Sequence, residues 1–219
     1  MFVTKYLTYK VKVCSNSFDT KIVVKFGDIF NQDGWKTIPV NDFFDSKVDN
    51  QHISESSLHG NHLIRYWSSN IQDWDSQVSK QLCDTEAEYI PRKTGKTRRY
   101  EIGTTAAVQS GPHSFLCVAL AHTDINNLEA KATIENLIRA VQRLMKKARS
   151  VCAGAPLNLP LFGAGLSRVG LPVPVLIELI LTLIVEETKQ NKVTNEIRII
   201  LPTEKASTIS LSTIKQHWS

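Results

Sequence analysis

Apolar residues along the chain follow two periods, and the switch between them divides the sequence into strands and helices. Leu7–Val13 alternates apolar and polar positions, and Lys21–Phe26 (KIVVKF) is β-branched and apolar, so both predict strands. Trp35–Asn41 (WKTIPVN) is a further short strand, with Pro39 placing it near a strand end. Residues 42–62 carry few strong patterns and predict an irregular loop that enters a helix near 54–63, with Ser54 as its cap. From Trp67 to Glu86 the apolar residues Trp67, Ile71, Trp74, Val78 and Leu82 recur at helical spacing. Tyr89–Tyr100 is a basic connector. Tyr100–Gly103 leads into a strand over 104–108, and Ser114–Ala121 (SFLCVALA) is a continuous apolar run of the kind buried on both faces of a sheet. Asn127–Ala148 shows the clearest helical period, with Lys and Arg gathering at its C-terminal end where the helix dipole favours them. Ala155–Leu161 predicts a short buried strand, 162–170 a glycine-bearing loop, Pro174–Gln190 a second strong helix with proline in its first turn, and Glu196–Leu201 a last strand.

The second half therefore runs strand, helix, strand, glycine loop, helix, strand. That order predicts an α/β protein in three layers (α/β/α), with a mixed, largely parallel central sheet and helices on both faces. One domain is expected over 1–202, with 203–219 a tail or short helix. The 219 residues suffice for a substantial core, and 42% hydrophobic with 21% charged residues is a globular balance.

Charge and cysteine content narrow the chemistry. The net charge of +5 suits an anionic partner without identifying one. The densest basic group, Arg92, Lys93, Lys96, Arg98 and Arg99, has no interleaved aromatic residues for base stacking and is read as a solvated loop, so nucleic acid is not the expected partner. Cys14, Cys83, Cys117 and Cys152 form no CxxC pair, which argues against zinc, and Cys117 lies in an apolar run and is expected in the core. Four scattered cysteines without a signal peptide point to a reducing cytoplasm. The longest apolar stretch, 169–185, is interrupted by Pro172, Pro174 and Glu178 and is too short for the roughly 20 residues of a membrane span, so a buried helix is expected. Asp42, Asp45 and Asp49 cluster without the spacing of a calcium loop and are read as solvated.

The strongest candidate for chemistry is the segment LNLPLFGAGLSRVGLPVPVL, in which a buried strand feeds Gly163, Gly165 and Gly170 before a helix. Ligands of open α/β sheets bind outside the carboxyl ends of such strands, and glycines there let backbone N–H groups approach a phosphate. Arg168 adds a possible charged contact. No Gly-Lys-Ser/Thr follows, so this is not a P-loop. Gly27-Asp28-Ile29 also follows a strand, and Asp28 is either an acceptor for an adenine amino group or a turn-capping aspartate. Asn41 ends another strand and would point into the same crevice, and His59-Gly60 stands at a helix start. No residue combination stands out as catalytic, and no GxSxG elbow is present.

Taken in order, Gly27-Asp28-Ile29, Val40-Asn41, SLHGN at 57–61, Ile102-Gly103-Thr104 and Pro160–Gly165 (PLFGAG) resemble the motifs of a macro domain, over about residues 5–202. The resemblance implies binding of an ADP-ribose-type ligand and no separate cofactor or metal. Asp28 and Ile29 would meet the adenine, Gly163, Ala164, Gly165, Leu166, Ser167 and Arg168 the diphosphate, and Asn41, His59 and Gly60 the distal ribose. The sequence departs from the family at two places. The usual Asn-Ala-Ala-Asn is Asn41-Asp42-Phe43-Phe44, and of the usual three glycines before the helix only Gly60 remains. Those elements surround the distal ribose in hydrolases of this fold, so the resemblance implies a binding module rather than an enzyme. The alternatives are an ADP-ribosyl hydrolase and a nucleic-acid binder using Arg92–Arg99.

GDIFNQDGWKTIPVNDFFD followed by SLHGN is similar to the macro domains attached to transmembrane helices in Thoeris-type bacterial antiviral effectors. That similarity implies a sensor of an ADP-ribose-derived signal, made from NAD by a TIR-domain partner. It implies a cytoplasmic location for this chain, anchorage of the full-length protein to the inner membrane through helices outside it, and possible homo-oligomers. Closure of the 42–61 loop over the ligand would be the sensing movement.

Overall fold

The computed structural model describes residues 10–13, 19–165 and 169–218. Its elements are, in order, β1 (Lys10–Val13), β2 (Lys21–Phe26), a 3-10 turn (Ile29–Asn31), β3 (Trp35–Asn41), α1 (Leu58–Trp67), α2 (Ile71–Gln81), β4 (Ala87–Tyr89), β5 (Arg98–Tyr100), β6 (Thr105–Ser110), β7 (His113–Thr123), β8 (Ala130–Lys131), α3 (Ile134–Val151), β9 (Leu157–Pro160), α4 (Val173–Gln190), β10 (Glu196–Leu201), a 3-10 turn (Thr203–Lys205) and α5 (Ser212–Trp218). The expected strand residues 7–9 lie outside the described residues.

The central sheet has the order β1-β2-β10-β9-β3-β7-β6, with β8 on the end of β7. The pairs β2–β10, β10–β9, β9–β3 and β3–β7 are parallel, while β1–β2, β6–β7 and β7–β8 are antiparallel. The mixed, largely parallel sheet is therefore as the sequence predicts. The inner strands read as unbroken apolar runs because both their faces are covered. Residues Leu116, Val118 and Leu120 of β7 pack with Leu137, Val141, Leu144, Ile177, Ile180 and Ile184 of α3 and α4, whereas Phe115, Cys117 and Ala119 pack with Leu63, Trp67, Trp74 and Val78 of α1 and α2. These two cores make the three layers. Cys117 is fully buried, as expected.

Four expectations shift. The continuous period from Trp67 to Leu82 belongs to two helices that bury residues in the same core. Trp67 ends α1, and Asn70 caps α2 by accepting the Asp73 N–H. The helix expected from Asn127 begins at Ile134, capped by Thr133, because Leu128 sits at φ 62° in a turn and Ala130–Lys131 pairs with β7. The cap of α1 is Ser57 and not Ser54. The basic connector forms a hairpin, β4–β5. After β10, Ile209, Leu211 and Ile214 are buried in the α3–α4 core, which docks α5 against the body of the fold. No helix among the described residues is long and apolar enough to cross a membrane.

Candidate functional site

The parallel strands β2, β10, β9, β3 and β7 all end on one edge of the sheet, and the segments that leave them face each other there. This is the crevice where open α/β sheets hold ligands. Two flanks of it differ in construction.

On the first flank β9 runs into Leu161–Gly165. Gly163 takes φ 77°, a left-handed conformation that disfavours side chains, and a Cβ there would lie 2.5 Å from the Val169 side chain. Its carbonyl accepts the Val169 N–H at 3.1 Å and so closes the loop. Ala164 and Gly165 are exposed, and a Cβ on Gly165 would meet nothing within 4 Å. The backbone is thus bare toward the crevice. Leu166, Ser167 and Arg168 lie outside the described residues. Beyond β2, Asp28 does what a capping aspartate does: its carboxylate accepts the Phe30 N–H at 2.8 Å. Its second oxygen stands 3.6 Å from Arg65, and the side chain remains 44% exposed, which leaves acceptor capacity toward the crevice. Ile29 is buried beneath it.

On the second flank β3 ends at Asn41, and here three of the residues expected at the ligand, Asn41, His59 and Gly60, are buried. Asn41 is 6% exposed, and its amide is spent on Asp45: Nδ2 donates to the carboxylate at 2.9 Å while Oδ1 accepts the Asp45 N–H at 3.1 Å. It shapes the loop, with one amide hydrogen and one oxygen lone pair used inside the protein. His59 is also buried, its ring 5.7 Å from that of Trp74, and the Gly60 N–H is bonded to the Ser57 hydroxyl. Gly60 is glycine for packing, since a Cβ would fall 2.2 Å from the Ser54 carbonyl oxygen. Both residues are buried.

The acidic cluster and the basic connector, both read as solvated, meet each other instead. Asp42 and Asp45 are 0% and 1% exposed. The Arg92 guanidinium bonds the Asp45 carboxylate, which also accepts the Lys96 N–H at 2.9 Å. Arg99 lies 3.1 Å from Asp42, and Phe43 is held between the two guanidinium groups, 3.8 and 4.9 Å from its ring centre. Asp42 further accepts the Thr123 N–H and bonds the His122 ring. Asp49 joins His52, whose other nitrogen meets Thr94 of the hairpin turn. Phe44, buried at φ 51°, is the sort of backbone strain that surrounding packing must hold in place. The first residues of the loop, 42–45, are therefore locked, and a closing movement is open only to the residues after them.

Beneath this flank sit two neutral histidines. Burial, assisted by the Lys96 charge, pushes His59 down to about 3, and burial pushes His62 well below its ordinary value. Neither nitrogen of His62 has a hydrogen-bond partner among the described residues. A cavity of about 570 Å3 is lined by Phe30, Asn31, Gln32, Asp33, Arg65, Tyr66 and His113, so the turn capped by Asp28 forms part of its wall, while the Gly163–Gly165 turn and residues 41–45 do not. No group of acidic, histidine or cysteine residues suited to a metal occurs among the described residues.

A three-layer fold with this strand order, a glycine turn after β9 and a capped Asp after β2 is that of a macro domain. Solved structures agree on the fold. The Oceanobacillus iheyensis macrodomain with ADP superposes with TM-score 0.60 at 12% identity, covering 96% of this chain and 95% of that one. The Trypanosoma brucei macrodomain in complex with ADP-ribose gives 0.55 at 8% identity, over 85% and 66%. Residues 22–202 match the family described as Thoeris protein ThsA, Macro domain, and the chain belongs to that family. It is 25% identical over 167 residues to the Thoeris protein ThsA of Bacillus amyloliquefaciens, a match that covers 74% of this chain and spans about half, 54%, of that protein.

Proposed function

We propose that the chain is the sensor module of a Thoeris-type effector and binds an ADP-ribose-derived nucleotide without cleaving it. The observation that carries this reading is the bare backbone at Ala164–Gly165 outside β9, in a chain of the ThsA macro-domain family. The Gly165 N–H, on a turn whose Ala164 N–H is held only at 3.4 Å by the Leu161 carbonyl, suits a diphosphate, with Gly163–Arg168 as its cradle. Asp28 and Ile29 would take the adenine, the carboxylate accepting from the exocyclic amine.

The second flank favours recognition over hydrolysis. A hydrolase needs a free polar side chain to place water against the distal ribose, and Asn41, the residue at that position, is bonded on both sides of its amide. The signal would come from NAD through a TIR-domain partner, in defence against phage. The full-length protein would face the cytoplasm from the inner membrane, and ligand binding would alter its self-association.

Calorimetry with ADP-ribose, followed by chromatography of the mixture, tests the reading. Saturable binding with the nucleotide recovered intact supports it; steady release of product, or no binding, overturns it.

A further inference from the structure

We propose that His122 is a specificity-determining residue for the far end of the ligand, accepting a hydrogen bond at Nε2 from a hydroxyl of the terminal ribose. The proposal rests on the ADP-ribose reading above and adds to it a residue and a polarity.

His122 stands one residue past Ala121, the register partner of Asn41, at the carboxyl end of β7. That places it on the edge where the crevice lies, beside β3 and on the opposite side of β3 from β9, which carries the glycine loop. A diphosphate at Gly163–Gly165 would therefore direct the rest of the ligand toward it, across the end of β3.

The ring is fixed from below. Its Nδ1 is 2.9 Å from Oδ2 of Asp42, a carboxylate with no exposed surface. Oδ1 of Asp42 accepts the Thr123 N–H at 3.0 Å, and Arg99, 3.1 Å away, balances the charge. Arg99 in turn donates to the Thr123 carbonyl at 3.0 Å. These bonds already join β7, β3 and β5, so His122 is not needed to hold the strand ends together. In the Nδ1–H tautomer the imidazole donates to the Asp42 carboxylate, which accepts the hydrogen bond. The remaining nitrogen then presents a lone pair. His122 is 57% exposed at its side chain, and Nε2 has no hydrogen bond to any described residue. A buried carboxylate thus orients an outward acceptor beside Asn41 and His59, the residues expected at the distal ribose, which are both buried.

ADP and ADP-ribose share everything up to the diphosphate, so comparing them isolates the terminal ribose. In calorimetry on the whole chain, His122→Ala should weaken ADP-ribose about tenfold, the value of one neutral hydrogen bond, and leave ADP within about twofold of wild type. His122→Gln, whose side-chain oxygen reaches a similar point, should restore most of the loss. Unchanged ADP-ribose affinity in His122→Ala overturns the proposal, as does an equal loss for both nucleotides. If the wild-type protein binds neither, the ADP-ribose reading itself fails. The ring is exposed, so the variants should melt with wild type, and circular dichroism checks this.

Discussion

Around Gly163–Gly165 the main chain meets the crevice with almost no side chain between, whereas around Asn41–Asp45 the two carboxylates and the Asn41 amide are buried and bonded within the protein. The first arrangement suits a partner that brings its own charge. The Gly165 N–H gains by meeting an anion and loses little while it faces water. The second arrangement is stabilised by its own ion pairs whether or not a ligand is present. One flank is built to be completed, and the other is braced by its own bonds except at the exposed His122 ring, so the contrast separates binding effects from stability effects residue by residue.

The contrast breaks most visibly at Asp45. Removing it leaves Arg92, with 1% of its side chain exposed, as an uncompensated buried charge. Asp45→Ala should cost about 3–5 kcal/mol in urea unfolding, and the double variant with Arg92→Ala less than the sum of the single losses. A single-variant loss below about 1 kcal/mol would mean that the pair is solvated and the flank is not locked. On the other side, Gly165→Val puts its side chain into open space, so the melting temperature should hold while ADP-ribose affinity falls about a hundredfold, near 2.7 kcal/mol. Retained affinity would place the phosphates elsewhere.

Acid should find the locked flank first. His59 titrates near 3 in the folded protein and near 6.5 when unfolded, so the unfolded chain binds the extra proton. The stability held by neutral His59 is complete above pH 6.5 and is lost as pH falls from there toward 3. Between pH 7 and pH 5 the loss should be about 2 kcal/mol from this residue, and His62 shifts in the same direction. Urea midpoints at the two pH values measure it, and His59→Gln should flatten the dependence. A wild-type protein equally stable at both would show that the histidines reach water. The smallest effect is at the adenine end. Asp28→Asn keeps an oxygen for the Phe30 cap but loses the charge, and the preference for adenosine over inosine diphosphate should fall by about fivefold in competition binding.

Much of the fold was legible along the chain. The unbroken run at 114–121, the amphipathic period of α3 and the glycines after β9 each follow from neighbours within four residues, and so does the alternation of strands and helices that predicts a parallel sheet with covered faces. The motifs from Gly27-Asp28-Ile29 to the glycine loop, read in order, also indicated the family. The distal flank was not legible. Asp42, Asp45 and Asp49 looked like a solvated acidic loop and Arg92–Arg99 like a solvated basic one, because each cluster alone has no reason to be buried. The signal that would have revealed them was their pairing: two clusters of opposite sign, each with an aromatic residue close by, in a chain with few other dense charge groups. His122, one residue past the strand expected at 114–121, carried no signal at all.

The local periods and turn residues thus determined by themselves which segments are strands and helices, and the strand–helix alternation determined the layered sheet, because backbone propensity and the burial of one face act within a few residues. Only the tertiary structure decided what the charged residues do. Asp45 and Arg92 are 47 positions apart and Asp42 and His122 are 80 apart. Whether such groups are hydrated, buried in pairs or aimed at a ligand depends on which strand ends the sheet brings together, since the free energy of a charge is set by the surroundings that replace its water.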